Sequence, residues 1–125
     1  MYGGTYVKGV SSWGNNDLRD VKYVKPGETL GGSFECVPFP PGGSYSLVVS
    51  AKSFRVEPPA LEFVLNGKTL WRGDAFRAYY FTRKTLELPV EALARHNKFE
   101  IKNISDDNPP DRRIVIHYAV VKKRY

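Results

Sequence analysis

The chain has 125 residues, of which 42% are hydrophobic and 14% aromatic. This length fits one domain that buries roughly two thirds of its unfolded surface, and the hydrophobic content excludes an intrinsically disordered chain. The formal net charge of +6 favours an acidic partner such as nucleic acid, an anionic polysaccharide or an anionic surface, although solubility explains the same excess of Lys and Arg.

Simple counts exclude further classes of protein. The single cysteine, Cys36, allows no internal disulfide, and its place beside Phe34 predicts a buried small side chain. No apolar run reaches the roughly 20 residues of a membrane span, so no membrane partner is expected. The first residues lack the apolar segment of a signal peptide, and we expect residues 1–125 to form a single domain.

The first half of the chain predicts short strands separated by turns. Pro26-Gly27 is a turn pair, Gly31-Gly32 predicts a bulge within its strand, and residues 38–43 are too rich in Pro and Gly for ladder hydrogen bonds. The predicted strands are residues 6–10, 21–24, 29–37 and 45–51.

The clearest local pattern lies in the middle of the chain. Apolar side chains in residues 61–65 alternate with a period of two, which is typical of a strand. Asn66-Gly67 follows at once, and this dipeptide readily takes the positive φ values of a tight turn. A hairpin is therefore predicted, with residues 68–71 starting the return strand.

The second half predicts more strands and the one helix candidate. Residues 113–122 are apolar on both faces, which predicts a central strand, and residues 122–125 are expected to be a frayed basic end. Residues 89–97 predict a helix of about two turns, with Pro89 near its start and Asn97 closing it. The other predicted strands are residues 76–82, 85–90 and 97–103.

These elements together predict an all-β protein, an antiparallel β-sandwich of the jelly-roll type with one short helical turn near residues 90–96. Their order resembles the galactose-binding-like β-sandwich, a fold of many carbohydrate-binding modules and of the sugar-binding domain of β-galactosidase-type glycoside hydrolases. Arg95-His96 precede Asn97 where that family often has Gly. The resemblance is carried by a Gly-x-Tyr strand ending in Ala-Lys (residues 43–52), a strand with an Asn-Gly hairpin (residues 61–68) and a Leu-to-Ile segment (residues 88–101).

The resemblance implies sugar binding without catalysis, in an extracellular ancillary module of a glycoside hydrolase. The residues agree, because no catalytic constellation is apparent. His96 and His117 lie in different elements without a serine nucleophile motif, and we expect His117 to be packed and His96 to lie at the helix end. No phosphate-binding Gly-rich loop, HExxH motif or cysteine pair is present, and no enzyme activity is expected.

Sugar binding requires aromatic faces that stack on the C–H face of a pyranose and planar groups that hydrogen-bond its hydroxyls. Trp13 stands among polar residues in one predicted loop, and Trp71 stands in another with charged residues and tyrosines. An arginine there offers a bidentate clamp for a uronate carboxylate or a sulfate. Edge packing is the alternative interpretation of both tryptophans. The predicted ligand-binding residues are Trp13, Asn15, Asn16, Trp71, Arg72, Asp74, Arg77, Tyr79 and Tyr80.

Structural calcium is the one cofactor that the sequence raises. Oxygen-rich loops suit calcium, and Asp106, Asp107 and Asp111 are its candidate ligands. Plain turn chemistry explains the same residues, since Asp and Asn favour turns.

We therefore expect a non-catalytic carbohydrate-binding module for a cell-wall polysaccharide, with a lean toward acidic chains, and with a covalently linked catalytic domain as partner. The alternative is a structural accessory β-sandwich that packs against a catalytic domain and binds no sugar. A nucleic-acid partner is disfavoured, because Lys and Arg are scattered along the chain and interleaved with Asp and Glu.

Overall fold

The computed structural model describes residues 2–6, 22–36, 44–54, 57–74, 76–78, 80–106 and 112–124. These residues form two antiparallel sheets and a single 3-10 turn, Val90–Ala92. No helix among them is long and apolar enough to cross a bilayer. The strands are β1 (Tyr2–Tyr6), β2 (Lys22–Val24), β3 (Thr29–Glu35), β4 (Ser44–Ser53), β5 (Leu61–Leu65), β6 (Lys68–Gly73), β7 (Thr82–Leu88), β8 (His96–Asn103) and β9 (Ile114–Arg124).

The sheets contain five and four strands. The five-stranded sheet has the order β1-β9-β4-β7, with β2 also pairing with β9, and the four-stranded sheet has the order β3-β8-β5-β6. The predicted all-β sandwich and the central position of the last strand are both confirmed.

The core lies between the two sheets, because alternate residues of each strand face inward. Phe63 is fully buried, and its ring centre lies 5.7 Å from that of Phe99 and 6.3 Å from that of Phe76. Burial of such a side chain contributes about 1.5–3 kcal/mol to the free energy of folding. The inward-facing residues of the alternating pattern are therefore the main source of stability.

The predicted hairpin is confirmed. Asn66 has φ 51° and Gly67 has φ 83°, the positive pair that a tight hairpin turn requires, and β5 and β6 pair on either side.

Two strand predictions are wrong. The described residues of the predicted strand 76–82 do not form one: Ala78 makes only an isolated bridge with Ser53, and β7 starts at Thr82. Phe76 is buried at the end of the core instead. The predicted Gly31-Gly32 bulge is also absent, because β3 pairs with β8 in unbroken register. β3 is an edge strand, and the space beside Gly31 is open.

The predicted helix over residues 89–97 is wrong beyond its first turn. Leu93 is already extended, and Asn97 lies in β8. The Asn97 side chain accepts from the Ala94 N–H and donates to the Ala94 carbonyl, both at 2.8 Å, so it satisfies backbone groups that a helix would otherwise pair. His96 starts β8, and its Nδ1 lies 3.0 Å from a Glu35 carboxylate oxygen rather than at a helix end.

Three smaller predictions concern the C-terminal residues, Cys36 and the first predicted strand. Lys122 and the two residues after it are not frayed, because they pair with Tyr2–Gly4 in β1. Cys36 is half-buried rather than buried, with its Sγ 3.6 Å from the Ala94 carbonyl oxygen. The predicted strand over residues 6–10 lies outside the described residues except for Tyr6, which ends β1.

Candidate functional site

One end of the sandwich collects the segments that follow β2, β4, β6 and β8, and we call it the loop end. Backbone hydrogen bonds join these segments: the Ser53 N–H donates to the Arg77 carbonyl at 2.9 Å, and the Ile104 N–H donates to the Ala60 carbonyl at 2.9 Å. The predicted binding segment after β6 lies at this end, as a loop-borne site requires.

An arginine lies between two exposed rings on the outer face of the five-stranded sheet, next to the loop end. The Cζ of Arg113 is 3.9 Å from the ring centre of Phe54 and 5.2 Å from that of Tyr23. Tyr23 is 51% exposed and Phe54 is 45% exposed. The pairing of β2 and β4 with opposite sides of β9 brings the three residues together.

A second ring–cation pair continues this surface along the sheet. Tyr23 and Lys52 lie on either side of Val115, so they share its row on the outer face. The Nζ of Lys52 is 5.1 Å from the ring centre of Phe81, which in turn lies 4.9 Å from the His117 ring. We call Tyr23, Lys52, Phe54, Phe81 and Arg113 the aromatic–cation surface.

The positive charge of the chain is concentrated in the sheet that bears this surface. The strands of the five-stranded sheet contain seven Lys or Arg residues and one Glu, a net charge of +6. The strands of the four-stranded sheet contain four Lys or Arg residues and three Glu, a net charge of +1. The strands of the two sheets therefore differ in net charge by five.

The cations of the aromatic–cation surface have no carboxylate within salt-bridge distance in the described part of the chain, and the buried Nε of Arg113 has no hydrogen-bond partner there. Arg72 differs, since its Nε donates to Glu62 Oε2 at 2.9 Å and its Nη2 donates to the same oxygen. Arg112 also differs, with its Nη1 3.0 Å from Asp106 Oδ1. Unpaired cations beside aromatic rings can bind a ligand that combines a polar ring with an anionic group.

Trp71 lies in strand β6 rather than in the predicted loop, and it is half-buried. Its ring centre is 5.3 Å from that of Phe63, and the Nζ of Lys84 lies 4.6 Å from the ring. Gly73 has φ 157°, and a Cβ there would come within 2.8 Å of the indole. Trp71 thus packs between the edges of the two sheets, and its role in ligand binding remains a prediction.

The structure separates the other predicted site residues. Arg72 lies on the outer face of the four-stranded sheet beside Glu62, whereas Asp74, Arg77 and Tyr80 are exposed at the loop end, Tyr80 to 67%. Trp13, Asn15, Asn16 and Tyr79 lie outside the described residues.

The structure describes only one of the three predicted calcium ligands, Asp106. Asp107 and Asp111 lie outside the described residues, and Asp106 is exposed and paired with Arg112. The described segments contain no group of three His, Cys, Asp or Glu side chains that could hold a metal ion.

A groove of about 530 Å³ between the edge strands β6 and β7 contains none of the predicted residues. It lies toward the opposite end of the sandwich, and Lys68, Thr69, Leu70, Leu86, Glu87 and Pro89 line it.

No protein family model matches the chain, and no curated protein does. Similar solved structures exist. The CBM36-1 domain of a multidomain xylanase from the hindgut metagenome of Trinervitermes trinervoides has a TM-score of 0.60 and 9% identity, over 100% of this chain and 90% of that one. A carbohydrate-binding module CBM36 in complex with calcium and xylotriose has a TM-score of 0.56 and 15% identity, over 96% and 90%.

The chain has the fold of a carbohydrate-binding module. A third similar structure, wild-type BuGH86 in complex with neoagarooctaose, has a TM-score of 0.66 and 17% identity. The match covers 98% of this chain but only 18% of BuGH86, so the chain spans less than a fifth of that protein.

Sequence reasoning missed all five residues of the aromatic–cation surface, since none of them is among the predicted ligand-binding residues. Two of them had a signal, because strand alternation puts Tyr23 opposite in parity to the buried Val24 and Phe54 opposite in parity to the buried Ser53. What the sequence alone lacked was the pairing of β2 and β4 with β9, which brings Tyr23, Phe54 and Arg113 together.

Proposed function

We propose that this chain is a non-catalytic carbohydrate-binding module that recognises a polysaccharide, with a preference for acidic chains, at its loop end and adjoining aromatic–cation surface. The observation that carries the proposal is the pair of exposed rings, Tyr23 and Phe54, beside Arg113, a cation without a carboxylate partner among the described residues. The strands of this sheet have a net charge of +6. Aromatic faces stack on sugar C–H faces, and cations attract sulfate or uronate groups.

The fold supports the same conclusion. Two of the similar structures are CBM36 modules of nearly the same length, and one of them holds xylotriose. The BuGH86 structure holds neoagarooctaose, and the matching region is a small part of it. We infer that residues 1–125 form a single domain that works beside a covalently linked catalytic domain in an extracellular enzyme.

The alternative is a structural accessory sandwich that packs against a catalytic domain and binds no sugar. An exposed aromatic patch without hydrogen-bonding neighbours would favour it. Here the exposed rings of Tyr23 and Phe54 flank a guanidinium, and Lys52 stands in the same row. A charged, polar surface of this kind suits a hydrated polysaccharide better than a buried domain interface.

Affinity gel electrophoresis on a panel of polysaccharides tests the proposal. We expect the mobility of the full chain to fall in gels containing a sulfated galactan or polygalacturonate, and to fall less with agarose, xylan or mannan. Unchanged mobility with every polysaccharide would rule out the carbohydrate-binding function and leave the accessory role.

The predicted tryptophans are tested in the same gels. Trp71→Ala and Trp13→Ala either weaken retention, which places an indole against the sugar, or leave it equal to that of the unmodified chain. Equal retention by all three proteins would remove both tryptophans from the site. A melting curve must accompany Trp71→Ala, since the indole packs on Phe63.

Calcium binding is a separate question from sugar binding. A CBM36 neighbour is in complex with calcium, but Asp106 here already has a cationic partner in Arg112. We infer that Asp106 is held by Arg112 rather than by an ion, and we expect an unfolding midpoint that is the same in calcium and in EGTA. A midpoint several degrees higher in calcium would establish a metal site.

A further inference from the structure

We propose that Arg113, held between Phe54 and Tyr23, is an anion-recognition subsite that binds the sulfate ester or uronate carboxylate of a sugar. This inference rests on the proposed carbohydrate-binding function and names the chemical group that the site selects. It also moves the centre of recognition from Trp71 and Arg72 to the outer face of the five-stranded sheet.

The stacking fixes the guanidinium before any ligand arrives. Arg113 Cζ is 3.9 Å from the Phe54 ring centre and 5.2 Å from the Tyr23 ring centre, and the Phe54 N–H donates to the Arg113 carbonyl at 3.2 Å. A held guanidinium loses less freedom on binding than a free side chain does, which favours affinity.

Arg113 is half-buried, so part of the residue reaches solvent. Its Nε is buried, so the terminal amino groups are the part that a ligand can meet, and no acidic group of the described segments neutralises them. Two parallel N–H groups of an arginine match two oxygens of a sulfate or carboxylate. The exposed ring of Tyr23 beside it offers an apolar face to the sugar that bears the anion.

Asn103 is the positioning residue for this arrangement. It is 2% exposed, and its Nδ2 donates to the Val24 carbonyl at 3.0 Å and to the Arg112 carbonyl at 2.8 Å. These carbonyls belong to the residues that directly adjoin Tyr23 and Arg113. One buried amide therefore joins the two backbone segments that carry the ring and the cation.

The experiment compares Arg113→Gln and Arg113→Lys in the full chain, with a sulfated galactan, its chemically desulfated form and polygalacturonate as probes in isothermal titration. We expect the unmodified chain to bind one or both acidic polymers at least about tenfold more tightly than the desulfated polymer, as charged hydrogen bonds predict. Arg113→Gln should remove that difference without weakening the binding of the desulfated polymer. Arg113→Lys, which keeps the charge but loses the planar fork, should fall between.

Lys98→Gln is the matched control, because it removes the same charge from an exposed position on the outer face of the four-stranded sheet. It should change the affinity for acidic polymers less than about twofold. Equal losses from Arg113→Gln and Lys98→Gln would show that net charge alone matters and would overturn the proposal. Unchanged unfolding midpoints in all three variants exclude misfolding as the cause.

The remaining outcomes separate this proposal from the one on which it rests. Equal binding of neutral and acidic polymers would overturn the anion subsite and leave carbohydrate binding standing, whereas no binding of any polymer would overturn both. Preference for the sulfated galactan alone or for polygalacturonate alone supports the subsite and identifies its anion. Tighter binding of a single-stranded oligonucleotide than of any polysaccharide would overturn both in favour of a nucleic-acid partner.

Discussion

On the outer face of the five-stranded sheet, Arg113 and Lys52 lie against aromatic rings, whereas on the outer face of the four-stranded sheet Arg72 lies against the carboxylate of Glu62. At the far edge of the second sheet, the Nδ1 of His96 lies 3.0 Å from a Glu35 carboxylate oxygen. A cation beside a carboxylate is already neutralised, while a cation over a ring keeps its full charge for a ligand.

This difference shows that the two faces cannot be characterised by the net charge of the whole chain. Most of the +6 belongs to the strands of one sheet, and the strands of the other carry almost equal numbers of both signs. One face is a solvated surface with internal ion pairs. The other has Arg113 and Lys52 beside aromatic rings, without a carboxylate partner among the described residues, and it is the face on which binding is expected.

Charge reversal on the two faces should have the largest effect. Lys52 and Arg83 point outward from the five-stranded sheet, and Lys98 and Lys102 point outward from the four-stranded sheet. We expect Lys52→Glu with Arg83→Glu to lower the affinity for an acidic polysaccharide by about a hundredfold, because like charges in an interface cost several kcal/mol. Lys98→Glu with Lys102→Glu should lower it by less than about tenfold, although the net charge changes equally.

Affinity electrophoresis at low salt and at about 0.5 M salt measures both pairs of variants, since screening reduces the contribution of exposed charges. Similar losses from the two pairs would mean that the faces are equivalent. Circular dichroism shows whether each double variant keeps its β structure.

Two buried asparagines at opposite ends of β8 provide the next test. Asn97 holds the 94–97 turn, and Asn103 holds the segments next to Tyr23 and Arg113. Replacing either by Ala removes a buried amide that bonds backbone groups of another segment, and should cost about 2–4 kcal/mol of unfolding free energy in urea titrations. Only Asn103→Ala should also weaken acidic polysaccharide binding, by about three- to tenfold, because only it loosens the aromatic–cation surface.

Binding is measured well below both unfolding midpoints, so that a loss of affinity does not reflect unfolded protein. An equal loss of affinity in Asn97→Ala would show that general loosening of the sandwich is responsible. Unchanged affinity in Asn103→Ala would remove that residue as a positioning group.

The sequence predicted the parts of the fold that depend on neighbours along the chain. Alternation in residues 61–65 and 97–103 and the turn residues Asn66-Gly67 each determine local structure by themselves, and all were confirmed. The helix prediction failed because Asn97 makes its decisive bonds to Ala94 through its side chain, which a propensity pattern does not register.

The candidate site could not be predicted because it is formed by strand pairing across long separations. Tyr23, Phe54 and Arg113 meet only because β2 and β4 both pair with β9. A register shift of one residue would turn these side chains to the opposite face, so the sequence pattern alone does not bring them together. The concentration of cations on one sheet is likewise visible only after the strands are assigned to sheets.

The smallest expected effect comes from creating an unpaired cation on the outer face of the four-stranded sheet. Glu62→Gln removes the carboxylate that neutralises Arg72 without changing the size of the side chain. Because the Arg72 side chain is 64% exposed, the loss of the pair should cost no more than about 1 kcal/mol in unfolding free energy. The freed guanidinium should raise the affinity for an acidic polysaccharide by about twofold at low salt. Glu100→Gln on the same face is the control, because it changes the net charge equally without freeing Arg72. A tenfold rise would show that an unpaired arginine is sufficient for binding without flanking rings, and the distinction between the two faces would then reduce to ion pairing alone.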